Sequence, residues 1–238
     1  MSIKAICFDV GGTLVEFSAS VNLVGQLSQI TRQDVDTVRR AMNQHFLTGC
    51  RDMQCTIQNF AREIGCSPDC ISHLINAYFV SATLYPESKE VLMLLKSWGY
   101  KLGIISNTYP WNNVDISTLG LDGMFYEGAI LYSHEVGHAK PAAEIFRLAQ
   151  EALGHSANEL AMVGDSIVSD VEGASNAGWK SILIDRSATQ RTISPVYDHL
   201  VIHSLRCLIG MFDPEGSILT TTGGEAGEYC SDLFDTSN

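Results

Sequence analysis

Two short apolar runs each end in a turn that carries acid. Ile3 to Phe8 leads into FDVGGTL, Phe8 to Leu14, and Leu160 to Val163 leads into GDSIVSD, Gly164 to Asp170. Short runs that stay apolar without alternating read as strands buried on both faces, as in a parallel sheet covered by helices. Open sheets of that kind place their ligands beyond the carboxyl ends of the strands. Asp9 is expected at the end of one strand, and Asp165 and Asp170 beyond another. Carboxylates gathered at one edge repel each other unless a hard cation lies between them, and Mg²⁺ takes oxygen ligands of this type.

Between residues 20 and 84 the texture changes. Apolar residues recur at helical spacing: Val35, Val38, Met42 and Phe46, then Ile57, Phe60 and Ile64, then Ile71, Leu74, Ile75 and Tyr78. This predicts about four helices, with breaks near Thr31, Gly49 and the stretch Gly65 to Pro68. Strand and helix then alternate again. Strands are expected at Lys101–Ile105, Ala129–Tyr132, Leu160–Val163, Ser181–Ile184 and Leu200–Ile202. Helices are expected after Pro86 and after Pro141, the latter ending at Gly154. The fold class predicted is α/β, a doubly wound parallel-sheet core over residues 1–15 and 85–210 with a helical insert over 16–84. Residues 211–238 hold six acids and no Lys or Arg, and read as a mobile acidic tail on which Phe212, Tyr229 and Phe234 still have the means to dock.

A formal net charge of −12 sets the surface against nucleic acid and anionic membrane, so neither is expected as a partner. It leaves room for an anionic small substrate, because a bound cation and one lysine invert the field locally. No run approaches the roughly 20 apolar residues of a membrane span. The start of the chain lacks the basic and apolar segments of a signal peptide. The seven cysteines are irregularly spaced, which fits reduced thiols and a cytoplasmic protein, monomeric or homodimeric, better than a disulfide framework.

With these motifs in order, the chain resembles the haloacid dehalogenase-like hydrolase superfamily, in the branch with a helical cap between the first and second motifs. FDVGGTL is similar to its first motif, IISNT (Ile104 to Thr108) to its second, SHEVGHAKPAAEIF with Lys140 to its third, and VGDSIVSDVEGASNAGW to its fourth. The resemblance covers Ile3 to about Gly210. It implies a Mg²⁺-dependent phosphatase acting on a small phosphorylated substrate through an aspartyl-phosphate. Asp9 is then the nucleophile, with Ser106 and Lys140 on the phosphoryl oxygens. Gly12, Thr13 and Asn107 are the implied substrate contacts. Asp9, the Gly11 carbonyl, Asp165 and Asp170 are the implied metal ligands, Asp170 in the first or second coordination sphere. Basic residues of the cap, among them Arg39, Arg51 and His45, are expected on solvated faces, with one or two free to meet a substrate anion.

One position departs from the resemblance. Phosphatases of this type carry an Asp two residues after the nucleophile as acid and base, and here that position is Gly11. Losing such a group typically costs roughly 10²–10⁴-fold in rate, less when the leaving group is good. Glu16, His134 and His138 are the candidate substitutes, Glu16 the closest in sequence. The alternatives are a phosphate-binding regulatory protein with little turnover and a non-phosphatase hydrolase such as a dehalogenase. Dehalogenases of this superfamily use no metal and hold non-acidic residues at the place of Asp165, so Asp165 and Asp170 argue against that chemistry. The absence of lysine between Val15 and Glu87 argues against a phosphonatase, which needs a cap lysine.

Overall fold

The computed structural model describes residues 2–20, 22–49, 52–78, 80–112, 115–187, 192–194 and 199–214. The tail from residue 215 onward and Arg51 lie outside the described residues. A seven-stranded sheet has the order β5-β4-β1-β6-β7-β9-β8. Its strands are β1 (Ala5–Phe8), β4 (Lys101–Ser106), β5 (Ile130–Tyr132), β6 (Leu160–Gly164), β7 (Lys180–Ile184), β8 (Thr192–Ser194) and β9 (His199–Ile202). All neighbours run parallel except β8, which pairs antiparallel with β9. The sequence reading has no strand at β8.

Alternate residues of β1 face opposite sides, as strand geometry requires. Ile6 and Phe8 join a core with α5 (Ser88–Ser97) and α9 (Cys207–Phe212). Ala5 and Cys7 join a second core with α7 (Ala143–Leu153) and α8 (Gly173–Asn176). Helices on both faces explain why the strands are apolar without alternation. The chain winds from β1 through β4 to β5, then crosses back to β6 on the other side of β1. That reversal places the ends of β4, β1 and β6 side by side, the usual crevice for a ligand.

Four helices intervene after β1: α1 (Leu23–Thr31), α2 (Val35–Phe46), α3 (Met53–Ile64) and α4 (Pro68–Ala77). Each starts at a side-chain cap, from Asn22, Asp34, Asp52 and Ser67. They enclose a core of their own around Phe46, Phe60, Met42 and Leu27. Two strands absent from the sequence reading flank them. These are β2 (Val15–Ala19) and β3 (Val80–Leu84), which pair antiparallel and carry the chain out of the sheet and back. β2 is exposed beyond its first residue, and β3 alternates apolar and polar over only five residues beside a helical insert.

Two boundaries differ from expectation. Pro141 lies in a turn two residues ahead of α7, whose cap residue is Ala142. Met211 and Phe212, assigned to the tail by sequence, belong to α9. The Phe212 ring meets Tyr100 edge-on, and its carbonyl accepts the Tyr100 hydroxyl.

Candidate active site

Asp9 follows β1 directly, its amide donating to the Val163 carbonyl of β6. Lys140 comes from the turn between α6 (Ser133–Val136) and α7. Its ammonium lies 2.9 Å from Asp9 Oδ1 and 2.5 Å from Asp170 Oδ1, and the Lys140 and Asp170 side chains are each 1% exposed. Asp165, Asp170 and Asp9 offer carboxylate oxygens that all lie within 4.8 Å of one another. Ser106 ends β4, buried, beside the end of β1.

Three carboxylates around one ammonium leave an excess of negative charge. Burial, then Asp9 and Asp170, push the Asp165 carboxyl up to about 6. Burial also raises Asp170, with Lys140 opposing it. For Lys140, burial works against the charge, but Asp9 and Asp170 outweigh it and hold the ammonium above its usual range. These are the marks of a site short of positive charge. An all-oxygen donor set with that excess fits a hard divalent cation. Asp170 already accepts from Lys140 and from the Ser166 amide at 2.9 Å, so it braces the cluster from behind while Asp165 faces outward.

Close backbone packing makes the cluster possible. A Cβ at Gly164 would lie 2.2 Å from the Asp170 carboxyl. At Gly12, where φ is +71°, it would lie 2.1 Å from Asp165 Oδ2. Glycine at these two places lets the acids converge.

Two of the three implied substrate contacts are engaged otherwise. Asn107 donates to the Lys140 carbonyl and accepts from the Lys140 amide, both at 2.8 Å, so its carboxamide fixes the lysine. Gly12 donates to Val15 O and accepts from Arg186 Nε, so neither backbone group is turned to a ligand. Thr13 is fully buried and its carbonyl also accepts from Arg186, while its hydroxyl has no hydrogen-bond partner among the described residues.

Arg186 is a site residue that sequence reasoning missed. It lies just beyond β7, at the same edge as the turns that carry Asp9 and Asp165, and that position was the available signal. Its guanidinium holds the Gly12 and Thr13 carbonyls, pairs with Glu87 at 2.8 Å, and stacks 3.3 Å from the Tyr85 ring centre. Burial opposes the Glu87 charge, yet Arg186 keeps its carboxyl below the ordinary range. The guanidinium thus bolts the turn after Asp9 to the root of β3.

The substitutes for the missing acid do not converge on Gly11. The Phe17 ring does: a Cβ on Gly11 would meet it at 2.7 Å. Glu16 precedes Phe17 on β2, so it faces the opposite side of that strand. His134 and His138 line a cavity of about 730 Å³ shared with Thr48, Asp52, Cys55 and Thr56, whose walls include none of Asp9, Gly11, Phe17 or Lys140.

Over the carboxyl edge, Trp111 packs edge-on against Phe46 and stacks on Tyr109, whose hydroxyl lies 2.5 Å from Asn43 Oδ1. Burial pushes the Tyr109 phenol up to about 12. A cavity of about 350 Å³ beside them is walled by Leu23, Val24, Met42, Tyr78, Tyr109 and Trp111. Of the insert's basic residues, Arg39 fits the solvated reading and pairs with Asp36, whereas His45 is largely covered, packing on Phe46 and Phe60 and pairing with Glu63.

A match to the haloacid dehalogenase-like hydrolases spans residues 3–178. The chain is 29% identical over 202 residues to a glyceraldehyde 3-phosphate phosphatase of Pyrococcus abyssi, covering 76% of this chain and 80% of that one. It is 28% identical to a phosphoglycolate phosphatase of Caulobacter vibrioides, over 84% of this chain and 86% of the relative. The solved structure of a 2-haloacid dehalogenase from Pseudomonas syringae pv. Tomato superposes with a TM-score of 0.59 at 20% identity, covering 87% of this chain and 96% of that one. At that identity the likeness is one of fold.

Proposed function

Because the chain belongs to the haloacid dehalogenase-like hydrolase family, we propose that it is a Mg²⁺-dependent phosphatase of a small phosphorylated metabolite, with Asp9 as nucleophile. The observation that carries this reading is the convergence of Asp9, Asp165 and Asp170 on one point with Lys140 beside them. Relatives named as phosphatases of two different small metabolites support it.

Asp9 and Asp165, with the Gly11 carbonyl, are the residues that would hold Mg²⁺, and Asp170 stands behind them. Bound there, the ion supplies the positive charge that the acids lack and neutralises phosphoryl oxygens. Lys140 orients the Asp9 carboxylate and offers an N–H to a phosphoryl oxygen. Ser106 offers its hydroxyl to another. Asp9 attacks phosphorus in line, and the aspartyl-phosphate is then hydrolysed by water, so one difficult displacement becomes two easier ones. The four-helix insert acts as a cap, with Tyr109 and Trp111 as its seat and the neighbouring cavity taking the organic part of the substrate.

Phosphate release from a panel of phosphorylated metabolites with Mg²⁺, run beside Asp9→Asn, tests this. Activity on a few compounds that vanishes in the variant and under EDTA is expected. Full activity in Asp9→Asn, or indifference to EDTA, overturns it. The Phe17 ring over Gly11 favours a second reading, a phosphate-ligand-binding regulatory protein. Tight binding of a phosphorylated compound without phosphate release distinguishes that case.

A further inference from the structure

Phe17 occupies the place from which a proton donor two residues beyond Asp9 would have to rise. Its ring stands 2.7 and 2.9 Å from where a Gly11 Cβ would be, so the site is filled by an aromatic side chain as well as lacking an acid. Phe17 as a residue is 42% exposed, so it is not sealed inside the fold. Attacking and leaving oxygens lie roughly in line across phosphorus. The leaving oxygen therefore departs on the side away from β1, toward β2 and the insert, where Phe17 stands. On that side Glu16 faces the opposite surface of its strand. Two of the three Lys140 N–H groups go to Asp9 and Asp170, and the third is the one assigned above to a phosphoryl oxygen. None of Glu16, His134, His138 and Lys140 is thus placed to protonate the leaving oxygen, and an alkoxide released unprotonated next to an aromatic ring is a poor leaving group.

We infer that the substrate is a phosphate whose leaving group departs as a stabilised anion, an acyl or aryl phosphate, with Phe17 packing against that group. The inference rests on the phosphatase reading above and narrows it. In the first step an Asp9 carboxylate oxygen forms a bond to phosphorus. The bond from phosphorus to the leaving oxygen breaks, and its electron pair leaves as carboxylate or phenolate without protonation. In the second step water adds to phosphorus and the bond to Asp9 breaks. Phosphate is released, Asp9 is restored, and the proton from water passes to solvent. The aspartyl-phosphate is itself an acyl phosphate, so its hydrolysis makes the same modest demand on a proton donor.

The test is a series of kcat/KM values with Mg²⁺ for acetyl phosphate, aryl phosphates of graded phenol acidity and a simple alkyl phosphate. Because kcat/KM reports the steps up to the first chemical one, slow dephosphorylation does not mask the trend. In the wild type, acetyl and para-nitrophenyl phosphate should exceed the alkyl ester by at least about 10²-fold, the lower end of what a positioned acid contributes. In the double variant Gly11→Asp, Phe17→Ala, the alkyl ester should gain about 10²-fold and the dependence on leaving-group acidity should flatten. A wild-type alkyl rate within about tenfold of the acyl and aryl rates overturns the inference and leaves the phosphatase reading standing. So does a folded double variant whose gap does not narrow. If the double variant does not fold, the wild-type series decides alone. Silence toward every compound, acyl and aryl included, removes the phosphatase reading and this inference with it.

Discussion

At the carboxyl edge of the sheet, charged side chains are buried and held by one another. In the four-helix insert the charges stay outside and apolar side chains do the holding. Lys140, Asp170, Glu87 and Ser106 are all buried at the edge, reached from separate strands and turns. The buried residues of α2 and α3 are Val38, Ala41, Met42, Phe46, Ile57, Phe60, Ala61 and Ile64, while Arg39, Asp36 and Glu63 lie on the outside. Polar bonds are directional and fail one at a time, leaving an orphaned charge. Apolar contacts are diffuse and yield gradually. A reaction centre needs the first kind of rigidity. On the phosphatase reading proposed above, the insert as a cap is served by the second.

The sharpest way to break this contrast is at Asp9. Asp9→Asn should cost on the order of 10⁴-fold or more in phosphate release, as losing a nucleophile does elsewhere, while leaving the melting temperature near wild type. Lys140→Met comes next. It should abolish most turnover and destabilise the protein by about 3–5 kcal/mol, because Asp170 is left buried without its cation. Added Mg²⁺ should recover part of that loss. Equal stability of variant and wild type in thermal melts would show that the edge is not held by its charges.

Asp165 gives a pH signature. Its folded-state pKa is raised from 3.8 to about 6, so its stabilising contribution is present in full below 3.8 and is lost as pH rises through about 6. Without metal, Asp165→Asn should therefore raise stability at pH 7. After allowance for solvent screening the gain is about 1 kcal/mol, or about 2–4 °C in Tm for a chain of this size. The same variant should lose the stabilisation by Mg²⁺ that the wild type shows. Wild-type affinity for Mg²⁺ should weaken as pH falls through about 6, because the ion competes with that proton. Calorimetric titrations at pH 5 and pH 8 would check this.

The smallest effects are expected at the seat of the insert. Trp111→Ala should cost about 2 kcal/mol, below the range for fully buried aromatics, and Tyr109→Phe about 1 kcal/mol for the bond to Asn43. Both should raise KM more than they lower kcat, in steady-state assays on whichever panel compound is turned over. A loss confined to kcat would mean that the insert's seat acts on the chemistry as well as on substrate capture.

The strands at the centre of the sheet, the four helices of the insert and the acids of the cluster were legible in the sequence. Each rests on a local signal: an unbroken apolar run, a helical period, or an acid beside a glycine at a strand end. The flanking strands β2 and β3 were not, because β2 is exposed along most of its length, β3 is only five residues long, and the two find each other across the whole insert. Asn107 and Gly12 were placed on the substrate, and the structure turns both inward.

By itself, the sequence determined a doubly wound sheet with a helical insert and the gathering of Asp9, Asp165 and Asp170 at one edge, since strand ends in such sheets converge whatever the loops do. Only the tertiary structure decided how that edge is held and what faces Asp9. The Asn107 brace on Lys140, the Arg186 bolt across Gly12, Thr13 and Glu87, and the Phe17 ring over Gly11 join residues from different turns and strands. Their partners are set by packing in three dimensions, and no spacing along the chain encodes which side chain will fill the space that a glycine leaves.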